Sequence, residues 1–403
     1  IPAHDPGQTL SERDLGRVPE LVRDLRDVDR VPAVVALAVL HGHDAVRPGA
    51  GALRFDIVAG AFSSDSEKCR EAGEALGLQP ERIYLSFEDM AAAESRRSDP
   101  IEAVVIVTPN HLHFEPCRLF LRAGIPVICD KPLVNSPQEA IELASIADQN
   151  GTFFALTYTY QGYPMVRDAR SRIQAGELGE IRFMYVEYLL EWLAPGVSML
   201  STSLAWRGDP EKAGPTGVVG DIGTHAFNML EFLCGRRCAS LNAKLTTVVP
   251  GWGLDDTCVV QLEFEGGVDG LLWASFAAPG HRNGLRFKII GSKASIEWCQ
   301  EFPETLRFTP TDGADRIYRR GQSDNAAQTL NFSSLPAGNT EGYLEALAVL
   351  YADFAEALDA GAGWRTATHI PLPDIHEGVR GVILSQACVE SSQRRAWVPF
   401  PHN

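Results

Sequence analysis

The run IEAVVIVTP (101–109) is apolar and β-branched at consecutive positions. A strand of that pattern has no face to give to water, so a layer must cover it on each side. AVVALAVL (33–40), FDIVAGAF (55–62) and the start of IPVICDKP (125–132) read the same way. Between them lie stretches punctuated as helices. SDSEKCREAGEALG (64–77) has Ser64 and Glu67 at capping-box spacing, HFEPCRLFLRAG (113–124) closes on Gly124, and SPQEAIELASIADQNG (136–151) has Pro137 in its first turn and Gly151 at its end. TFFALTYTY follows as a further strand. Helix-linked, doubly covered strands form a doubly wound sheet. The expectation is an α/β chain with a Rossmann-like parallel sheet domain over 31–156. An atypical N-terminal extension (1–30) precedes it, holding little beyond a short helix at Pro19–Val28.

The texture changes after Tyr158. A helix, PMVRDARSRIQAGELG (164–179), leads into the longer runs EIRFMYVEYLL, CVVQLEFEGGVDGLLWASFA and RFKIIGSKASIEWC, with FEGG and IGSKAS placed as hairpin turns. Helices follow at about 341–360 and 374–392. This pattern predicts a C-terminal α+β domain (157–403) with a mostly antiparallel open sheet, for substrate binding and oligomerisation.

The 403 residues suffice for two cores. A formal charge of −16 repels a phosphate backbone, so nucleic acid is not an expected partner. No apolar run reaches the roughly 18 residues of a membrane span, and the first thirty residues hold no signal-peptide core. Eight scattered cysteines read as reduced thiols, which makes the cytoplasm the expected compartment.

Ligands of open α/β sheets bind beyond the carboxyl ends of the strands. Two such ends are unusual here. VTPNHLH places Thr108, Pro109 and Asn110 at a strand end with His111 and His113 just beyond, and ICDKP places Asp130 and Lys131 directly after an apolar strand. A lysine at a strand end is ordinarily a solvated cap. Here Pro132 fixes the turn and Asp130 stands ready to hold the ammonium, so Lys131 is a candidate for hydrogen bonding a substrate hydroxyl. Two histidines without carboxylate or thiolate companions do not make a metal site, and none is expected. A third feature is AWRGDPEKAGPTGVVGDIGTHAFNMLEFLCG, where Asp221 and His225 stand four apart. On a helix they share a face and form a workable acid–base pair; the alternative is a helix cap and an incidental histidine.

Taken together, VVIVTPNHLH, VICDKPL, AWRGDP…GPTGVVGDIGTHAFN and DDTCVVQLEFEGG resemble the Gfo/Idh/MocA oxidoreductases, from about Phe55 to the end of the chain. The resemblance implies a Rossmann domain for NAD or NADP and a second domain that covers the nicotinamide. Lys131 falls at the lysine of the family's E-K-P motif, with Asp130 at the usual glutamate. Asp221 and His225 fall at the substrate-binding aspartate and the acid–base histidine. Thr108, Pro109, Asn110 and His113 fall beside the cofactor's diphosphate and ribose, and Trp206 and Arg207 match a W-R pair near the nicotinamide. The implied reaction oxidises a secondary alcohol of a sugar or polyol. The implied assembly is a homodimer or homotetramer paired through the open sheet. Two alternatives are an NAD-using glycoside hydrolase on the same scaffold and a non-catalytic binding or regulatory relative.

At the end of the second strand, an acidic residue favours NAD. The chain reads AFSSDSEKCR: Ser63 and Ser64 with Lys68 and Arg70 suit a 2′-phosphate, Asp65 suits a free ribose, and the serines alternatively only cap the helix. The family pattern breaks after Leu40. HGHDAVRPGAGALRFD offers Gly49 and Gly51 as G-x-G, but Arg54 takes the place of the third glycine, and the fourteen residues His41–Arg54 are too few for a phosphate loop plus a crossover helix. A degraded site, a diverged loop and a shifted reading frame that recovers near Phe55 all account for this.

Overall fold

The computed structural model describes residues 55–401, apart from 201, 327–328, 330–331 and 368–370, together with the backbone of 34–39. The Pro19–Val28 helix, Gly49 and Gly51 lie outside the described residues.

The first sheet contains β1 (Val34–Val39), β2 (Phe55–Ala61), β3 (Ala103–Ile106), β4 (Val127–Cys129) and β5 (Phe154–Leu156), in the order β2-β1-β3-β4-β5. The pairs β3–β4 and β4–β5 are parallel. Their side chains alternate between two cores. Val104, Ile106, Val127, Cys129, Phe154 and Leu156 face one, while Val105, Ile128 and Ala155 face the other. The first core is built with α2 (Phe87–Glu94), α3 (Phe114–Arg122), α4 (Pro137–Asn150) and the C-terminal α8 (Ile375–Arg394). Burial on both faces is what the unbroken apolar runs demand.

One strand departs from the expected parallel arrangement. β1 sits centrally but runs antiparallel to both β2 and β3, with Val39 opposite Phe55 and Val34 opposite both Ala61 and Ile106. A connection too short for a helical crossover permits an antiparallel return, and an apolar run buries equally well in either direction. Val34 therefore lies at the carboxyl end of β3, opposite Ile106, and Leu37 at its amino end, opposite Ala103.

The helix after β2, α1 (Ser66–Ala75), is capped by Asp65, whose Oδ1 accepts from the Glu67 and Lys68 amides at 3.0 and 3.2 Å. Ser64 is not the capping residue. A carboxylate at the helix N-terminus also gains from the helix dipole, which a hydroxyl does not.

Beyond α5 (Pro164–Gln174) lies a nine-stranded sheet made from β6 (Ile181–Leu189), β7 (Cys238–Thr246), β8 (Thr257–Phe264), β9 (Val268–Ser275), β10 (Gly284–Gly291), β11 (Ala294–Cys299), β12 (Thr305–Pro310), β13 (Arg316–Arg319) and β14 (Val398–Pro399). The order is β13-β12-β11-β10-β6-β9-β8-β7-β14, antiparallel except for β6–β9. Along β8, Cys258, Val260, Leu262 and Phe264 are buried, while Val259 and, on β9, Trp273 remain exposed on the open face.

Two C-terminal helices return to the first sheet. Leu347, Leu350, Tyr351 and Phe354 of α7 (Tyr343–Asp359) join Phe55, Val105, Ile128 and Ala155 in one core, and α8 packs on both α4 and β7. The second core of the parallel sheet is thus roofed from nearly 200 residues downstream of β5.

Candidate active site

The carboxyl ends of β3 and β4 open into a cleft of about 530 Å³, within the ordinary size of small-molecule sites. Thr108, Pro109 and Asn110 line it from β3, and Asp130 and Lys131 from β4, where the Lys131–Pro132 bond is cis. The opposite wall comes from Tyr188 of β6, from Asn283 before β10, from Tyr343 and Tyr351 of α7, and from Trp206 and Arg207.

Asp221 and His225 reach the cleft from a glycine-flanked segment. Val219–Gly223 is a π-helical turn that runs directly into α6 (Thr224–Cys234), so the two side chains are carried on one continuous coil. The buried Asp255 anchors this turn: its carboxylate accepts from the amides of Gly217 at 2.7 Å and Val219 at 3.2 Å. Burial raises the Asp255 carboxyl, partly offset by those amides.

Lys131 Nζ donates to Asp221 Oδ1 at 2.6 Å and to the Asp221 carbonyl at 2.9 Å. The expected partner, Asp130, instead accepts from the Thr157 hydroxyl. Asp130 immediately precedes Lys131 in the chain and is held by Thr157 just after β5, whereas Asp221 faces the ammonium across the cleft. Arg207 Nε lies 3.4 Å from the other Asp221 oxygen. Burial by itself raises Asp221, but the charges of Lys131 and Arg207 outweigh it and hold the carboxyl well below the usual carboxylate range.

His225 is 7% exposed and lines the cleft. Tyr158 and Tyr160 present ring edges to it at centroid distances of 5.5 and 5.0 Å. The Tyr160 and Tyr188 hydroxyls touch, and Tyr188 donates to Asn283 Oδ1 at 2.7 Å. Tyr158 and Tyr160 come from TFFALTYTY, which the pattern assigned to a strand. β5 ends at Leu156, and Thr159–Gly162 is a tight turn under α7. Aromatic residues in an apolar run look alike whether they fill a core or wall a site, so Tyr160, Tyr188 and Asn283 gave no signal. The DD of DDTC was a usable signal for Asp255.

Two buried polar atoms on the cleft wall, Thr108 Oγ1 and Trp206 Nε1, have no hydrogen-bond partner among the described residues. Unsatisfied polar atoms of this kind are what a polar ligand completes. With the polar and aromatic lining, they fit the nicotinamide end of a dinucleotide beside a hydroxylated substrate. Ser63 and Ser64 lie at the same edge of the sheet, after β2, but outside the cleft lining. Ser63 Oγ accepts from the Asp65 amide. His113, placed by motif beside the cofactor, is 1% exposed and does not line the cleft; its ring nitrogens contact backbone carbonyls instead. Among the described residues no group of three or more His, Cys, Asp or Glu could hold a metal, and no helix is long and apolar enough to cross a membrane.

Residues 36–158 match the model of the oxidoreductase family with an NAD-binding Rossmann fold, and residues 166–297 match that of the GFO/IDH/MocA C-terminal domain. The chain is 34% identical to the uncharacterized oxidoreductase YfiI of Bacillus subtilis (strain 168), over 87% of this chain and 92% of that one. It is 29% identical to the levoglucosan dehydrogenase of Pseudarthrobacter phenanthrenivorans, over 82% and 88%. Among solved structures, an inositol dehydrogenase homolog from Azotobacter vinelandii complexed with NAD+ superposes with a TM-score of 0.82 at 36% identity, covering 90% of this chain and 95% of that one. The chain belongs to the Gfo/Idh/MocA family of NAD-binding oxidoreductases.

Proposed function

We propose that the protein oxidises a secondary alcohol of a sugar or polyol reversibly, with NAD or NADP as hydride acceptor. The observation that carries this reading is the convergence of Lys131, Asp221 and His225 on one cleft. An ammonium has three hydrogens. Lys131 gives two to Asp221, which leaves one for a substrate hydroxyl oxygen. Asp221 orients that ammonium and accepts from a neighbouring hydroxyl. His225, ringed by tyrosine edges, takes the hydroxyl proton as the alcohol becomes a carbonyl. A nicotinamide cofactor held in this cleft would supply the hydride acceptor. Tyr160, Tyr188 and Asn283 read further hydroxyls, and Thr108 and Trp206 donate to the ligand from the wall. The relatives named for inositol and levoglucosan support this substrate class.

The open sheet face, with Val259 and Trp273 exposed, is where a second copy pairs to make a dimer or tetramer. All eight cysteines are free thiols, which supports a reducing compartment such as the cytoplasm. The test is a panel of inositols, aldoses and anhydrosugars, each mixed with NAD or NADP and followed by nicotinamide absorbance. Net reduction with at least one member supports the proposal. Nucleotide binding with bond cleavage and no net reduction points to a glycosidase, and no nucleotide binding defeats both.

A further inference from the structure

His113 stands at the start of α3, 1% exposed. Its Nε2 lies 2.7 Å from the Thr108 carbonyl oxygen, and its Nδ1 lies 2.8 Å from that of Pro132 and 3.2 Å from that of Leu133. A carbonyl oxygen only accepts, so each ring nitrogen must carry a hydrogen, and only the imidazolium form has both. The carbonyls belong to the two strand-end loops that present Thr108, Asn110 and Lys131 to the cleft.

We propose that His113 is a buried imidazolium clamp that ties the loop after β3 to the loop after β4 and so positions Asn110 and Lys131. It is a positioning residue, since it does not line the cleft. Its consequence for catalysis rests on the dehydrogenase reading; its charge state does not. The groups that face it are Asp130 and Cys129 from β4 and its exit, Cys117 of α3 behind Cys129, and His111 on its own turn. Burial depresses His111, and Lys212 adds to that effect. Burial by itself depresses His113 too, but the Cys129 sulfur, the Asp130 carboxylate and the Thr108 carbonyl outweigh it and push the ring up to about 9. A group raised on folding stabilises fully below its unfolded value, near 6.5, and loses that contribution as pH climbs through its folded value. The clamp therefore holds at neutral pH and fails around pH 9.

The test uses wild-type protein labelled with 15N-histidine, with the His113 signals identified by their loss in His113→Gln. Both ring nitrogens should be protonated at pH 7.5, and one should lose its proton near pH 9. A neutral, singly protonated ring at pH 7.5 overturns the proposal without any variant having to fold. The melting temperature of wild type should fall between pH 8 and 10 more steeply than that of His113→Gln; equal slopes also overturn it. In nucleotide titrations followed by fluorescence, His113→Gln should raise the NADH dissociation constant about tenfold, the order expected when a charged hydrogen bond that sets a loop is lost. Unchanged nucleotide affinity with the ring protonated overturns the positioning role. If wild type binds no nucleotide, the dehydrogenase reading fails, while the ring's ionisation and the melting profiles still decide the clamp.

Discussion

Lys131 and Asp221 stand ninety residues apart in the chain, yet Nζ and Oδ1 are 2.6 Å apart across the mouth of the cleft. The pair joins the end of a strand in the first sheet to a π-turn beneath the second. It fixes the ammonium through two of its three hydrogens, and Arg207 adds a second cation to the same carboxylate.

Replacing Asp221 with Asn removes the anion but keeps the shape. We expect kcat/KM to fall by about 10²–10³-fold, the scale of losing an oriented charged group at a reacting centre. Because Asp221 is held well below the usual range, its contribution is complete above the ordinary carboxylate value and is lost only as pH falls through the depressed one. The acid limb of kcat/KM between pH 5 and 8 should therefore not report Asp221, and a rate profile will check this.

His225→Gln should lower kcat by about 10²–10⁴-fold, the usual worth of a general base. The NADH dissociation constant should change little, since the imidazole serves the alcohol. Single-turnover rates and a fluorescence titration separate the two effects.

Trp206→Phe keeps an aromatic ring and deletes a buried N–H that no group among the described residues satisfies. If that hydrogen serves the ligand, KM or the nucleotide dissociation constant should rise by about five- to tenfold, the worth of roughly 1 kcal/mol. The melting temperature should be unchanged, which differential scanning calorimetry will show.

Gly162→Ala tests the turn that carries Tyr160. A Cβ there collides with the carbonyl oxygen of Ala346 on α7. Overpacking of this kind costs about 1–3 kcal/mol. Chemical denaturation should show that loss, together with a higher substrate KM as Tyr160 shifts.

Much of this architecture is legible in residue order, for reasons of periodicity. Runs such as AVVI at 103–106 can be buried only on both faces, and the alternation along β8 leaves one face open. Lys131, Asp221 and His225 stand out because polar groups at such places are rare in core-forming segments. The direction of β1 is not legible, because an apolar run is equally apolar reversed. The return of α7 to the first sheet is not legible either, since an amphipathic helix shows how much surface it buries but not where. Asp130 and Asp221 are both plausible partners for Lys131 until the fold places one across the cleft. His113 looks like a site residue by motif, and only its burial and its carbonyl contacts show that it lies behind the site.

The most direct measurement follows one atom. A polyol that is turned over is prepared with deuterium at the oxidised carbon and incubated with NAD(P)+ and the protein, and the nicotinamide is examined by NMR. The account predicts deuterium at C4 of the nicotinamide with wild type and almost none with His225→Gln. Binding of both ligands without transfer, or carbonyl formation with the deuterium lost to water, would contradict it.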